Sequence, residues 1–368
     1  MNTKTVAQQV IAAAKAHGAE FCEVVVTQNE FALKRIREGQ VDQPPAGEQW
    51  GIDTAIVKDG KKKTVSFDNP MFAERIIKET MKQMDVLPKH EFYIPTESFS
   101  PVAQPENLYD KKTAELNGEH LIQIAKDVEE KLEKHHLFLS GKIAQGRGEV
   151  TYENSIGTIQ HARFTQACAG LFAFDQNDLS VSAYASSGGI ASDHIEKDRI
   201  GEELISKCEL QRGKQKLDLF EGKKEGEELN IDVILEPYFF RTIFEWLGFF
   251  GFNGLFVERG ESFISSKIGQ LICGTNITIS DDPLDSRNRG MGFPFDFEGR
   301  PRKRVALIEQ GIAKQGVYDT ALAVKWKKEA TGSALPPSSR AEGAAPFDLV
   351  IEGGNTSVEE MIKNSKEP

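Results

Sequence analysis

Histidine is missing from the last 174 residues of this 368-residue chain: all seven stand at His17, His90, His120, His135, His136, His161 and His194. Imidazole is the commonest ligand of catalytic zinc and the commonest general base, so the C-terminal half can build neither from histidine. Cysteine is scarce too. Cys22, Cys168, Cys208 and Cys273 are far apart and form no C-x-x-C pair, which excludes a zinc knuckle and a thioredoxin-type redox motif. They read as small buried apolar residues. No window approaches the ~18 uninterrupted apolar residues of a membrane span, and the first fifteen residues lack the apolar run of a signal peptide. The expectation is a cytoplasmic protein with reduced thiols and no membrane partner. Basic residues are outnumbered, 45 to 56, and the net charge of −11 disfavours a general nucleic-acid binder.

At 39% apolar and 27% charged, the chain is neither disordered nor collagenous, and its length suits two domains. Val6, Val10, Ile11 and Ala14 recur at helical spacing before Gly18, and Phe21–Thr27 reads as a strand. The runs 51–57 and 64–67 flank Asp59-Gly60, a hairpin signal, and Gln43–Gly47 reads as a loop. A helix is expected over Phe72–Met84, a proline-bearing connector over 86–106, and a single long helix from Thr113 to His135. Short strands are expected over 148–152, 157–163, 170–174 and 179–184. These elements predict helices on an antiparallel sheet over residues 1–220. The charged segment Glu221–Leu229 reads as a linker.

Residues 230–368 are expected to form a second, mostly β domain, making the fold class α+β. It opens with a strand over Ile231–Leu235 and a helix whose first turn holds Pro237. Short apolar runs at 277–279, 305–308 and 347–351 follow between glycines and prolines, and Thr331–Arg340 is a low-complexity loop.

The densest feature is Tyr238–Phe256, YFFRTIFEWLGFFGFNGLF, with nine aromatic residues in nineteen positions. Such a helix is expected in a core or at a subunit interface. Glu245 is expected to cap the helix or to pair with Arg241, four residues earlier on the same face. Asp281, Asp282 and Asp285 do not fit an EF-hand loop and read as a turn, and Arg300, Arg302, Lys303 and Arg304 read as a solvated strand edge.

The order strand, Pro237, aromatic helix, then Glu261–Ile264 with Lys267-Ile268-Gly269, Ile279–Pro283, Phe295–Gly299 and Leu307–Gly311 resembles the TldD/PmbA family, also called modulator of DNA gyrase. Tyr318–Ala321, Thr331-Gly332 and, in the first domain, Asn154–Gly157 extend the resemblance. The resemblance implies further C-terminal strands, and these are expected to be short or missing in a short or truncated member of the family. In the TldD branch the aromatic helix carries His-Glu-x-x-x-His, two zinc ligands with a water-activating glutamate. The corresponding hexad here is Phe244–Phe249, with phenylalanine at both histidine positions and Glu245 retained at the general-base position. Phenylalanine has no donor atom for a metal.

The departure resembles the PmbA branch, also named TldE, whose members lack the motif and pair with a TldD subunit in a heteromeric peptidase. The resemblance implies no cofactor on this chain, zinc in a TldD-like partner, and an extended or unfolded peptide as substrate. Trp246, Phe250, Phe252, Ser262 and Phe263 are the candidates for contacting peptide or partner, and none is assigned catalysis. Two alternatives stay open. One is a self-sufficient metallopeptidase with a non-standard site using His120, His161 or His194. The other is a non-enzymatic peptide-binding module that adds a strand at a sheet edge; a homodimer is a further alternative for the aromatic helix.

Overall fold

The structure is a computed structural model and describes residues 1–89, 97–214, 232–285, 287, 289–290 and 292–365. The expected linker 221–229, His90 and part of the connector 86–106 lie outside the described residues.

Asn2 starts α1 (Thr3–Ala16) by accepting the Thr5 N–H, and Gly18 ends it at φ +84°. The chain then enters the long strand β1 (Phe21–Arg37), β2 (Gln40–Gln43), β3 (Ala46–Lys58) and β4 (Lys61–Phe67). Asp59 and Gly60 both have positive φ, as the hairpin signal requires. Helix α2 (Ala73–Met84) follows. The helix expected over Thr113–His135 is two: α3 (Lys111–Ala114) and α4 (Gly118–Glu133). Asn117 breaks it, because its side chain accepts the Glu119 and His120 N–H groups and starts a new helix.

The four short strands are three long ones: β5 (Leu137–Asn154), β6 (Ile159–Asp175) and β7 (Ser182–Gly189). Glycines interrupt the apolar alternation there without ending the strands. A Cβ at Gly148 would lie 2.5 Å from the Gln28 carbonyl and 2.6 Å from Phe164, so glycine is the residue that lets the strands approach. Helix α5 (Lys197–Gln211) completes this half. The antiparallel sheet runs β4-β3-β1-β5-β6-β7, with β2 beside the end of β1.

One face of the sheet is covered by helices. Val24, Val26, Ile52 and Ile56 pack under α1 and α2, and Leu137, Leu139 and Ile143 pack under α4 and α5. The alternate residues point the other way. Part of that second face, around Val25, Tyr152 and Ala162, is covered by Phe293, Phe295 and Phe297 of the C-terminal half.

The C-terminal half begins with irregular chain: residues 232–236 form no strand, contrary to expectation. Val233, Ile234 and Leu235 are exposed, and among the described residues no strand pairs with this run. Then come α6 (Pro237–Trp246), a π-helical turn (Leu247–Gly251), α7 (Gly254–Arg259), β8 (Ile279–Asp281), β9 (Val305–Glu309), β10 (Ile312–Ala313), α8 (Thr320–Trp326), β11 (Leu349–Ile351) and α9 (Val358–Asn364). The second sheet is antiparallel, in the order β10-β9-β8-β11. Its strands are short, and turns and loops surround a separate core of Phe252, Ile264, Leu307 and Val317. The whole is an α+β protein with an N-terminal helix-on-sheet domain and a C-terminal domain.

Candidate functional site at the aromatic helix

Pro237 occupies the first turn of α6, where a missing N–H costs nothing. Tyr238 anchors the helix to the first domain: its hydroxyl donates to Glu203 at 3.0 Å, its ring meets Tyr184 edge-on at 5.4 Å, and Lys207 pairs with Glu236 at 2.7 Å. At the other end, Phe244 and Leu247 pack against the C-terminal core. The π-helical turn after Trp246 is widened around two glycines. A Cβ at Gly248 would lie 2.9 Å from Leu349, and one at Gly251 2.6 Å from Phe263. Asn253 then caps α7 through the Leu255 N–H and holds Glu342 O and Ala344 N.

No residue of α6 is buried, which overturns its reading as a core helix. Trp246 is 60% exposed and Phe239 and Phe250 are each 50% exposed, with Phe263 beside them at 43%. Trp246 stacks on Phe250 with ring centroids 5.7 Å apart, and Phe250 meets Phe256 at 5.5 Å. These rings hold one another rather than a core. Phe252 is the exception among the candidates. It is fully buried, packed edge-on against Phe263, and so cannot contact a partner. Ser262 is half-buried and donates its hydroxyl to Gly251 O at 2.5 Å, which joins the segment after α7 to the π turn.

The hexad offers a metal little. Phe244 and Phe249 carry no donor atom, and Glu245 is exposed. The expected Glu245–Arg241 ion pair is not formed; both side chains point into solvent, where such a pair is worth little. Zinc therefore does not fit these residues. The alternative histidines serve separate elements: His120 bonds Asn117 at the start of α4, His161 lies 3.1 Å from Thr151, and His194 receives the Ala191 N–H. Among the described residues, no three His, Cys, Asp or Glu side chains are grouped to hold a metal ion.

The other motifs meet at the seam between the domains. Arg340, from the low-complexity loop, reaches Glu23 of β1 at 2.5 and 2.9 Å and lies 3.8 Å from Glu298. The Tyr152 hydroxyl donates to Glu23 at 3.2 Å, and Glu298 accepts the Thr320 hydroxyl at 2.5 Å. Gly299, at φ +75°, lets the chain lie against Tyr152 and Thr158, while Gln160 donates to Gly299 O at 3.0 Å. Asn154 donates to the Tyr152 hydroxyl at 3.3 Å, so one residue of Asn154–Gly157 joins Glu298 of Phe295–Gly299 and Thr320 of Tyr318–Ala321 in one buried polar contact. Burial pushes the Asp296 carboxyl up to about 7, assisted by the charge of Glu298, and the same two causes raise Asp319 to about 6.

The basic cluster is also corrected. Arg302 is buried and bridges Asp281 at 2.9 Å and Asp348 at 2.6 Å, tying β8 to the loop before β11. Asp281 is thus part of an ion-pair triad. An alternation of charge and proline gave no sign of this, because partners 21 and 46 residues away are invisible to local pattern.

Residues 228–367 match the PmbA/TldA metallopeptidase C-terminal domain. Across 98% of its length the chain has the fold of TldE from Thermococcus kodakarensis, with TM-score 0.80, 17% identity and 80% of that chain covered. A protein named as a modulator of DNA gyrase from Bacteroides thetaiotaomicron matches at TM-score 0.76 and 19% identity over 99% of this chain and 80% of its own. An uncharacterized protein of Methanocaldococcus jannaschii is 24% identical over 87% of this chain and 72% of its own length. A metalloprotease of the same archaeon is 28% identical over 30% of this chain and 24% of its own. Fold and C-terminal domain together define a metallopeptidase-related α+β chain. Its residues 228–367 carry the C-terminal domain of the PmbA/TldD family, and the chain as a whole has the fold of TldE.

Proposed function

We propose that this chain is the zinc-free, TldE-like subunit of a cytoplasmic heteromeric metallopeptidase that acts on unfolded or extended peptides. The observation that carries the reading is the hexad: both positions that hold histidine in the TldD branch are phenylalanine, Phe244 in α6 and Phe249 in the π turn, and the same region leaves Trp246, Phe250 and, after α7, Phe263 exposed. A row of large exposed aromatic side chains is costly to leave in water, and a partner that covers it recovers ~25 cal/mol per Å² of apolar area. On this reading the TldD-like partner holds the zinc and this chain completes the chamber that receives the peptide. Residues 1–220 and 230–368 are its two domains, joined by the charged linker.

Helix α6 supports the pairing role because it is held at both ends, by Tyr238 and by Phe244, while its middle is free. Co-expression with a TldD-like subunit, followed by size exclusion, tests it. The pair should co-elute, and Trp246→Ser with Phe250→Ser should separate it while each chain stays folded. Co-elution unaffected by the double substitution would remove α6 from the interface.

A further inference from the structure

The sheet face opposite the helices is covered by the C-terminal domain around Tyr152, but it carries a second aromatic group further along β5, β6 and β7. Phe138 stacks on Phe174 at 5.5 Å, Phe174 on Phe172 at 6.2 Å, and Phe172 meets Tyr184 at 4.7 Å. Phe172 is 42% exposed. Gly170 leaves room for the Tyr184 ring, whose hydroxyl would lie 3.0 Å from a Cβ there. The result is an open groove of about 740 Å³ with an apolar floor. Its rim carries Arg35, Arg37 and Lys142 against the single acid Asp42. Neither Arg35 nor Lys142 has an ion-pair partner among the described residues; Arg35 donates only to the neutral Gln43. A locally cationic groove is unusual on a chain of net charge −11.

We infer that this groove binds an acidic peptide segment through one bulky apolar side chain, seated on Phe172, Phe174 and Tyr184, with flanking carboxylates on Arg35 and Lys142. Strand addition at the neighbouring edge is closed, because α5 satisfies the outward carbonyls of β7. Gln211 donates to Ser182 O at 2.7 Å, Lys207 to Tyr184 O at 3.0 Å and Arg199 to Ser186 O at 2.9 Å. Recognition must then come from side chains, which gives sequence preference rather than general backbone affinity. The apolar floor and the small number of cations fit a peptide better than a phosphate backbone, which needs many cations. The inference rests on the sheet face alone and holds whether or not the chain pairs with a TldD-like subunit.

The test uses the full chain and three fluorescein-labelled peptides: an acetylated Glu-rich peptide with a central Phe, the same peptide with Ser for Phe, and a Lys-rich peptide with the Phe kept. Anisotropy should show the first bound at least about 10-fold more tightly than the other two. Phe172→Ser, at an exposed position, and Arg35→Glu with Lys142→Glu should each weaken it at least about 10-fold while circular dichroism stays unchanged. Added salt should weaken it further. Equal binding of all three peptides, indifference to Phe172→Ser, or tighter binding of a labelled single-stranded thymidine oligonucleotide would each overturn the inference.

Discussion

Tyr152 and Trp246 are both large aromatic residues on well-formed elements, yet the first is fully buried at the domain seam and the second is 60% exposed on α6. At the seam the large polar groups pair within the chain: Tyr152 with Glu23, Glu23 with Arg340, and Glu298 with Thr320. On α6 the exposed aromatic residues mainly have one another. The seam therefore reads as a contact completed within one chain, and the α6 face as an open aromatic surface, the one proposed above to receive a second chain. Substitutions should separate the two by what they damage: stability at the seam, association at α6.

The largest effect is expected from Arg340→Leu. It strands the carboxylate of Glu23 in a buried site, and breaking a buried pair from one side costs ~3–5 kcal/mol. Chemical denaturation should show the loss, and no change would mean that the seam does not hold the domains. Phe252 and Phe250 make a sharper contrast, two residues apart in sequence. Phe252→Ala empties a core position and should cost ~3–5 kcal/mol, whereas Phe250→Ser should shift stability by less than ~1 kcal/mol and act on pairing instead. Equal destabilisation by both would erase the distinction.

A smaller, pH-dependent effect is expected at Asp319. Its folded pKa, about 6, lies above the ~3.9 of an unfolded Asp, so the folded chain holds the proton more tightly. The stability this contributes is full below the unfolded value and is lost as pH rises through the folded one. Asparagine caps a helix as well as aspartate does, so Asp319→Asn should keep the α8 cap, which accepts the Leu322 N–H, without titrating. The variant should gain on the parent protein between about pH 4 and 7 in thermal melts; parallel curves would show that Asp319 ionises normally.

What local pattern revealed and what it concealed follows from range. The hairpin at Asp59-Gly60, α1 and α2 rest on neighbours a few residues apart and were legible from spacing. The unbroken lengths of β5 and β6 were not, because Gly148 and Gly170 look like breaks until the opposing strand shows why a side chain would not fit. The aromatic helix was legible as a segment, and Arg241, Thr242 and Glu245 mark one solvent-facing side, but nothing local shows that Phe239, Ile243 and Trp246 are left exposed as well. Arg340 carried no local signal: its partner Glu23 is 317 residues away. Phe295–Gly299 was recognisable as a motif, yet only the fold shows that Glu298 and Gly299 work at the seam.

Under the proposed function, Phe244 and Phe249 leave this chain without its own zinc, and a partner supplies the metal for peptide cleavage. The most direct measurement is zinc content together with cleavage of an unfolded peptide, first for the purified chain and then for its complex with a TldD-like subunit. The account predicts sub-stoichiometric zinc and no cleavage by the chain alone, with both appearing in the complex. Stoichiometric zinc and cleavage by the chain alone would contradict it.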